Sequence, residues 1–107
     1  MASDKGFVDY VAEQLGDAGR IRSKRMFGEY GFYCDEVFFA VICDDQFFVK
    51  IMPQGEAAFP GLPKAPPYEG AKDYILVEDV DDRELMTRLT RITCEALRTQ
   101  PPKKRRK

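Results

Sequence analysis

The chain has 107 residues, 44% hydrophobic and 33% charged, which suits about one folded domain and excludes a disordered tract. No run approaches the roughly 18 consecutive apolar residues of a membrane span, and Met1-Ala-Ser-Asp-Lys5 lacks the basic-then-apolar profile of a secretory leader, so a soluble cytoplasmic protein with no membrane contact is expected. The formal net charge is −1, yet Lys103, Lys104, Arg105, Arg106 and Lys107 hold five of the 17 basic residues; the remaining twelve face 18 acidic residues, a body of about −6, which argues against broad nucleic-acid binding by the folded surface.

Taken in chain order, residues 4–15 predict an amphipathic helix, because Phe7, Val8, Val11, Ala12 and Leu15 recur at helical period. Ser3 or Asp4 can cap its start and Gly16 can end it. Residues 16–23 read as a polar connection. From Lys24 to Met52, aromatic and β-branched residues crowd two breaks, Asp35-Glu36 and Asp44-Asp45. This spacing predicts an antiparallel meander with two-residue turns, so that Cys34 faces Val37 and Cys43 faces Gln46. Strict alternation puts Tyr33, Phe38, Ala40, Ile42, Phe47, Val49 and Ile51 on the core face. Tyr30, Phe32, Cys34, Val37, Phe39, Val41, Cys43, Phe48 and Lys50 fall on the other, which is nearly as apolar and needs a cover of its own. Helices are expected on one face, with the proline-rich segment or a second subunit on the other.

Residues 53–72 contain five of the seven prolines and read as a loop laid over the body, with one helical turn at 55–59. Asp73-Tyr-Ile-Leu-Val-Glu78 predicts a short strand at a sheet edge. Asp81 and Glu84 fit a capping box opening a helix to about residue 98, with Leu85, Leu89, Ile92 and Ala96 as its stripe. Glu84–Arg88 and Arg91–Glu95 are spaced for ion pairs. Pro101 and Pro102 then stop the helix. The fold class expected is α+β, an antiparallel β-meander flanked by N- and C-terminal helices. Residues 1–100 form the domain and residues 101–107 a basic, disordered tail.

The search for chemistry returns little. Cys34, Cys43 and Cys94 form an odd set with no CxxC, and the chain has no histidine. Buried free thiols are expected, with no metal site. Without an imidazole, a cysteine nucleophile lacks its usual activator. Ser3 and Ser23, the two serines, sit outside any nucleophile setting. The acidic groups at Asp44-Asp45 and Asp79/Asp81/Asp82 suit turns and helix caps. No catalytic residues, metal or cofactor are assigned.

The most specific stretch is Arg25-Met-Phe-Gly-Glu-Tyr-Gly-Phe-Tyr33. Gly28 and Gly31 among aromatics suggest a bulge or kink where a side chain would collide. Met26, Phe27, Tyr30, Phe32 and Tyr33 read mainly as packing groups, and Arg25 and Glu29 as the candidate surface contacts. This motif, with Val37-Phe-Phe-Ala-Val41 and Phe47-Phe-Val-Lys-Ile51, resembles the N-terminal domain of TfoX/Sxy-type regulators of natural competence in bacteria, here without their helical C-terminal domain. The resemblance spans about residues 4–98. It implies the same α+β fold and a non-enzymatic regulatory or protein-interaction module acting on a protein partner, with a homodimer as a further option. Two alternatives stand beside it. One is a nucleic-acid-associated protein making weak nonspecific contact through Lys103, Lys104, Arg105, Arg106 and Lys107; the other is a small-molecule binder or minor enzyme at the Arg25–Tyr33 motif.

Overall fold

In a computed structural model, residues 3–26 and 28–99 are described. The chain runs as helix α1 (Lys5–Gln14), a single 3₁₀ turn (Gly16–Ala18), strands β1 (Ile21–Met26), β2 (Glu29–Cys34), β3 (Val37–Cys43) and β4 (Gln46–Val49), helix α2 (Pro53–Ala58), strands β5 (Lys64–Ala65) and β6 (Tyr74–Val77), and helix α3 (Arg83–Thr99). The strands form one antiparallel sheet in the order β1-β2-β3-β4-β6-β5. This is the α+β arrangement that the pattern of elements implies.

The two long helices, α1 and α3, start where a side chain can satisfy free backbone donors, whereas α2 opens on Pro53 with no side-chain cap. Asp4 caps α1 by accepting the Phe7 N–H at 3.2 Å. The cap of α3 is Asp82, which accepts the Leu85 N–H at 3.1 Å. Asp81 is therefore one residue too early for the box; its carboxylate accepts the Tyr10 hydroxyl instead, pinning α1 beside the start of α3. The i, i+4 arginines of α3 are drawn off its surface by tertiary partners. Arg88 lies over the Phe59 ring, 5.3 Å from its centroid, and Arg91 donates to the Asp17 carbonyl at 2.6 Å.

Both hairpin turns fall where they are expected. Cys34 pairs with Val37 and Cys43 with Gln46. All four turn residues have positive φ, Asp35 at 51°, Glu36 at 72°, Asp44 at 54° and Asp45 at 57°. Positive φ at both central positions marks the type I′ turn, whose hand matches the twist of the flanking strands.

Between the two turns, strict alternation fails. Phe32 pairs with Ala40 but Tyr33 pairs with Phe38, leaving Phe39 as an extra residue on β3. One inserted residue reverses the facing of everything beyond it on the paired strand. As a result Tyr30, Phe32, Cys34 and Phe39 join Ala40, Ile42, Phe47 and Val49 in the main core. Tyr33 and Phe38 leave it and pack together on the opposite face, their ring centroids 5.5 Å apart. Sequence period alone places these two groups the other way round.

The main core is closed by Val8, Val11 and Leu15 of α1 with its C-terminal flank, and by Met86, Leu89 and Cys94 of α3. Helix α2 packs on α3 rather than on the sheet, with Gly55 buried against Leu89 and Thr93. A smaller apolar cluster of Val41, Cys43 and Phe48 lies on the other face, flanked by Phe38, Ala65, Tyr74 and Leu76. The proline-rich segment supplies part of its cover, through Ala65. Two further features depart from the sequence reading: β1 begins inside the stretch read as a connection, and β6 is not an edge because the two-residue β5 pairs outside it. No described helix is long and apolar enough to cross a membrane.

Candidate functional site

The helix-free face of the sheet is incompletely covered. Between β1–β3 and the loop after β5 lies an open groove of about 650 Å³, within the size range of ligand-binding depressions. Its apolar walls are Phe38 and Val41 from β3, Met26 from the end of β1, and Tyr74 from β6. Pro67 and Tyr68 form the opposite lip. Tyr68 is the most exposed large apolar side chain described, at 64%, and it stands at the mouth.

The width of the groove depends on Gly31. A Cβ there would sit 2.7 Å from Met26 Cε and 2.9 Å from Phe38 Cε1, so the absent side chain is what lets these two lie flat over β2. Gly28 has a different reason. Its surroundings are open, but its φ of +80° is conformationally costly for residues with a Cβ. Collision therefore explains one of the two motif glycines and backbone geometry the other.

One end of the groove is acidic. Glu29 is half-buried, and its carboxylate accepts the Ser3 N–H and the Asp44 N–H, each at 3.0 Å. Burial by itself raises this carboxyl's pKa; the bonds from Asp44 N–H and from the Ser3 hydroxyl and N–H outweigh it and hold the group below its ordinary value. Ser3 also accepts the Asp45 N–H at 2.9 Å, and Asp45 accepts the Asp4 N–H at 2.8 Å. The Asp44-Asp45 turn, the start of β2 and the start of α1 are thereby laced together around Glu29. Asp44 is exposed at the same end of the groove. Cys43 lies between these acids and the apolar wall; burial, then the charges of Glu29 and Asp44, push its thiol up.

The other motif residues are dispersed. Arg25 is exposed on β1 with its guanidinium 5.4 Å from the Tyr30 ring centroid. Tyr30 is buried, reaching both the core and the groove, and Phe32 packs edge-to-face on Phe47 at 5.8 Å. Tyr33 carries the Arg22 guanidinium 5.0 Å above its ring, while Arg22 also pairs with Glu36 at 2.9 Å. Phe27 and the tether residues Lys103–Lys107 lie outside the described residues. Met26, Glu29, Tyr30 and Gly31 thus gather at the groove, whereas Phe32 serves the core. Sequence reasoning missed Tyr68 and Tyr74 as groove residues: the loop carrying Tyr68 has no periodicity to place it, and reading Tyr74 as part of a strand does not bring it to the groove. All three cysteines are buried and free. The Cys34 thiol donates to the Ala18 carbonyl at 3.9 Å, and burial, the largest cause, raises the thiols of both Cys34 and Cys94.

A single antiparallel sheet with helices on one side and an aromatic groove on the other defines a small α+β domain. A family model described as the TfoX N-terminal domain matches residues 13–100, and the chain belongs to that family. It is also 36% identical over 105 residues to the uncharacterized 12.7 kDa protein in the trpE 5′ region of Spirochaeta aurantia, covering 97% of this chain and 91% of that protein.

Proposed function

We propose that the protein is a non-enzymatic regulatory module that acts by holding a segment of a partner protein in the groove of its helix-free sheet face. The observation that carries this reading is the groove itself. Phe38, Val41, Met26 and Tyr74 present an apolar floor and walls without a helix over them, and Tyr68 stands exposed at the lip. An uncovered aromatic face of this kind is how soluble domains usually mark a contact surface. The chemistry around it favours binding over turnover. Glu29 is engaged by two backbone N–H groups, and the Cys43 thiol is pushed away from its reactive thiolate form. The family resemblance to competence regulators supports a regulatory setting.

The test is cross-linking in the source cell, with a photoreactive residue at Tyr68 and, as a control, at exposed Glu95 on α3. A protein captured at position 68, absent at position 95 and lost when Tyr74→Ala is added to a stably folded chain supports the reading. Equal capture at both positions overturns it.

A further inference from the structure

We infer that the partner segment recognised by the groove is an extended peptide in which a lysine or arginine lies beside apolar side chains, its cation seated at the Glu29–Asp44 end. This rests on the groove being the interaction surface, and deepens that reading by naming what the groove selects.

The argument is one of charge placed against apolar area. The charged residues that line the groove, Glu29 and Asp44, are both acidic and both at one end. Glu29 is fixed there by the N–H groups of Ser3 and Asp44, so its charge is positioned before any partner arrives. Asp45, the neighbouring turn residue, has a structural occupation in accepting the Asp4 N–H. Asp44 has none: its carboxylate makes no hydrogen bond or ion pair among the described residues, yet it is held in a turn at positive φ beside the groove. A cation arriving along the apolar wall meets both carboxylates, and the Tyr68 and Tyr74 rings are placed to pack its aliphatic stem.

The same charges decide between classes of partner. A nucleic acid would bring phosphates to two carboxylates, which repel them. A peptide main chain with one basic residue meets no such penalty, and an open groove suits a continuous chain better than a small molecule that must be enclosed.

Asp44→Asn is the discriminating variant, because asparagine tolerates positive φ, keeps the shape of the side chain and retains the backbone N–H to Glu29. The probes are two capped hexapeptide libraries, randomised over apolar residues and fixed at the third position as arginine or as glutamine. Binding is followed by amide shifts of the 107-residue chain. The arginine library is expected to bind about three- to fivefold more tightly than the glutamine library, as a half-exposed ion pair allows. It should move Val41, Cys43, Tyr68 and Tyr74, and Asp44→Asn should abolish the preference without altering glutamine-library binding. If both libraries bind the groove equally, the inference about the basic residue falls while the groove remains the contact surface. If neither library moves those amides, or a single-stranded oligonucleotide or a second copy of the chain moves them instead, both readings fall.

Discussion

The carboxylate of Glu29 accepts the backbone N–H of Asp44 at 3.0 Å across fifteen residues of chain, joining the start of β2 to the turn between β3 and β4. Because its folded pKa lies below the ordinary 4.5, the carboxylate contributes stability that is fully present above that value and is lost as pH falls through the depressed one. Glu29→Gln replaces a charged acceptor with an amide that brings N–H against N–H. It is expected to cost about 1–2 kcal/mol at neutral pH and to flatten part of the stability loss as pH falls from the ordinary 4.5 through the depressed value. Urea midpoints measured across that range check both; an unchanged acid limb would refute the role of Glu29.

The turn at Asp35-Glu36 holds a glutamate at φ 72°, in a region where an L side chain costs about 1 kcal/mol or more. Glu36→Gly removes that strain and forfeits only the screened pair with Arg22, so a gain of about 0.5–1 kcal/mol is expected. Glu36→Ala, which loses the same ion pair and keeps the strain, should show no gain. Thermal denaturation of the two variants side by side separates strain from charge.

Gly31→Ala places a methyl against Met26 and Phe38 at under 3 Å. The flexible Met26 side chain can give way, but the Phe38 ring has less freedom. A loss of about 1–3 kcal/mol is expected, together with a narrowed groove. An alanine variant as stable as the parent would show that the glycine is not what admits the two side chains.

The thiols should be slow to react in the native protein. Cys34 and Cys94 are each 1% exposed and Cys43 is 8%, and burial raises all three. Native alkylation should therefore label Cys43 first, with Cys34 and Cys94 following only at the rate of global opening. Rapid modification of Cys94 under native conditions would contradict the packing of α3 on the sheet.

For Lys103–Lys107 the expectation comes from sequence alone. Five phosphate contacts imply a log–log salt slope of roughly −4 to −5 on duplex DNA, with weak affinity indifferent to sequence and lost on deleting those residues. A sequence-specific footprint that survives the deletion would move recognition into the folded body.

Local chemistry made much of this fold legible in the sequence. The helix from Lys5 to Gln14, the strand pairs around Asp35-Glu36 and Asp44-Asp45, and the long last helix each follow from period and turn spacing. The facing of β2 does not, because Phe39 and its neighbours Phe38 and Ala40 are all apolar and no alternation betrays which is the inserted residue. Strand β1 hid for the opposite reason: Arg22, Ser23, Lys24 and Arg25 are all exposed, so only pairing to β2 identifies it. For the groove, the motif from Arg25 to Tyr33 pointed to one wall. The other wall, Pro67 to Tyr74, is set by tertiary contact of a loop, and Glu29's bonds to Ser3 and Asp44 span separations that no local pattern encodes.

The polar character of β1 has a consequence for how the protein behaves when crowded. An outermost strand offers a row of unused backbone groups that can template fibrillar stacking. Here that strand carries Arg22, Lys24 and Arg25, so a second copy adding alongside it would bring like charges together along its length. The opposite margin is only Lys64–Ala65, bracketed by Pro63 and Pro66, which have no N–H to offer. Both margins of the sheet are thus closed to chain-to-chain extension, and concentrated solutions should resist amyloid-type growth even though one broad surface of the molecule stays rich in aromatic rings.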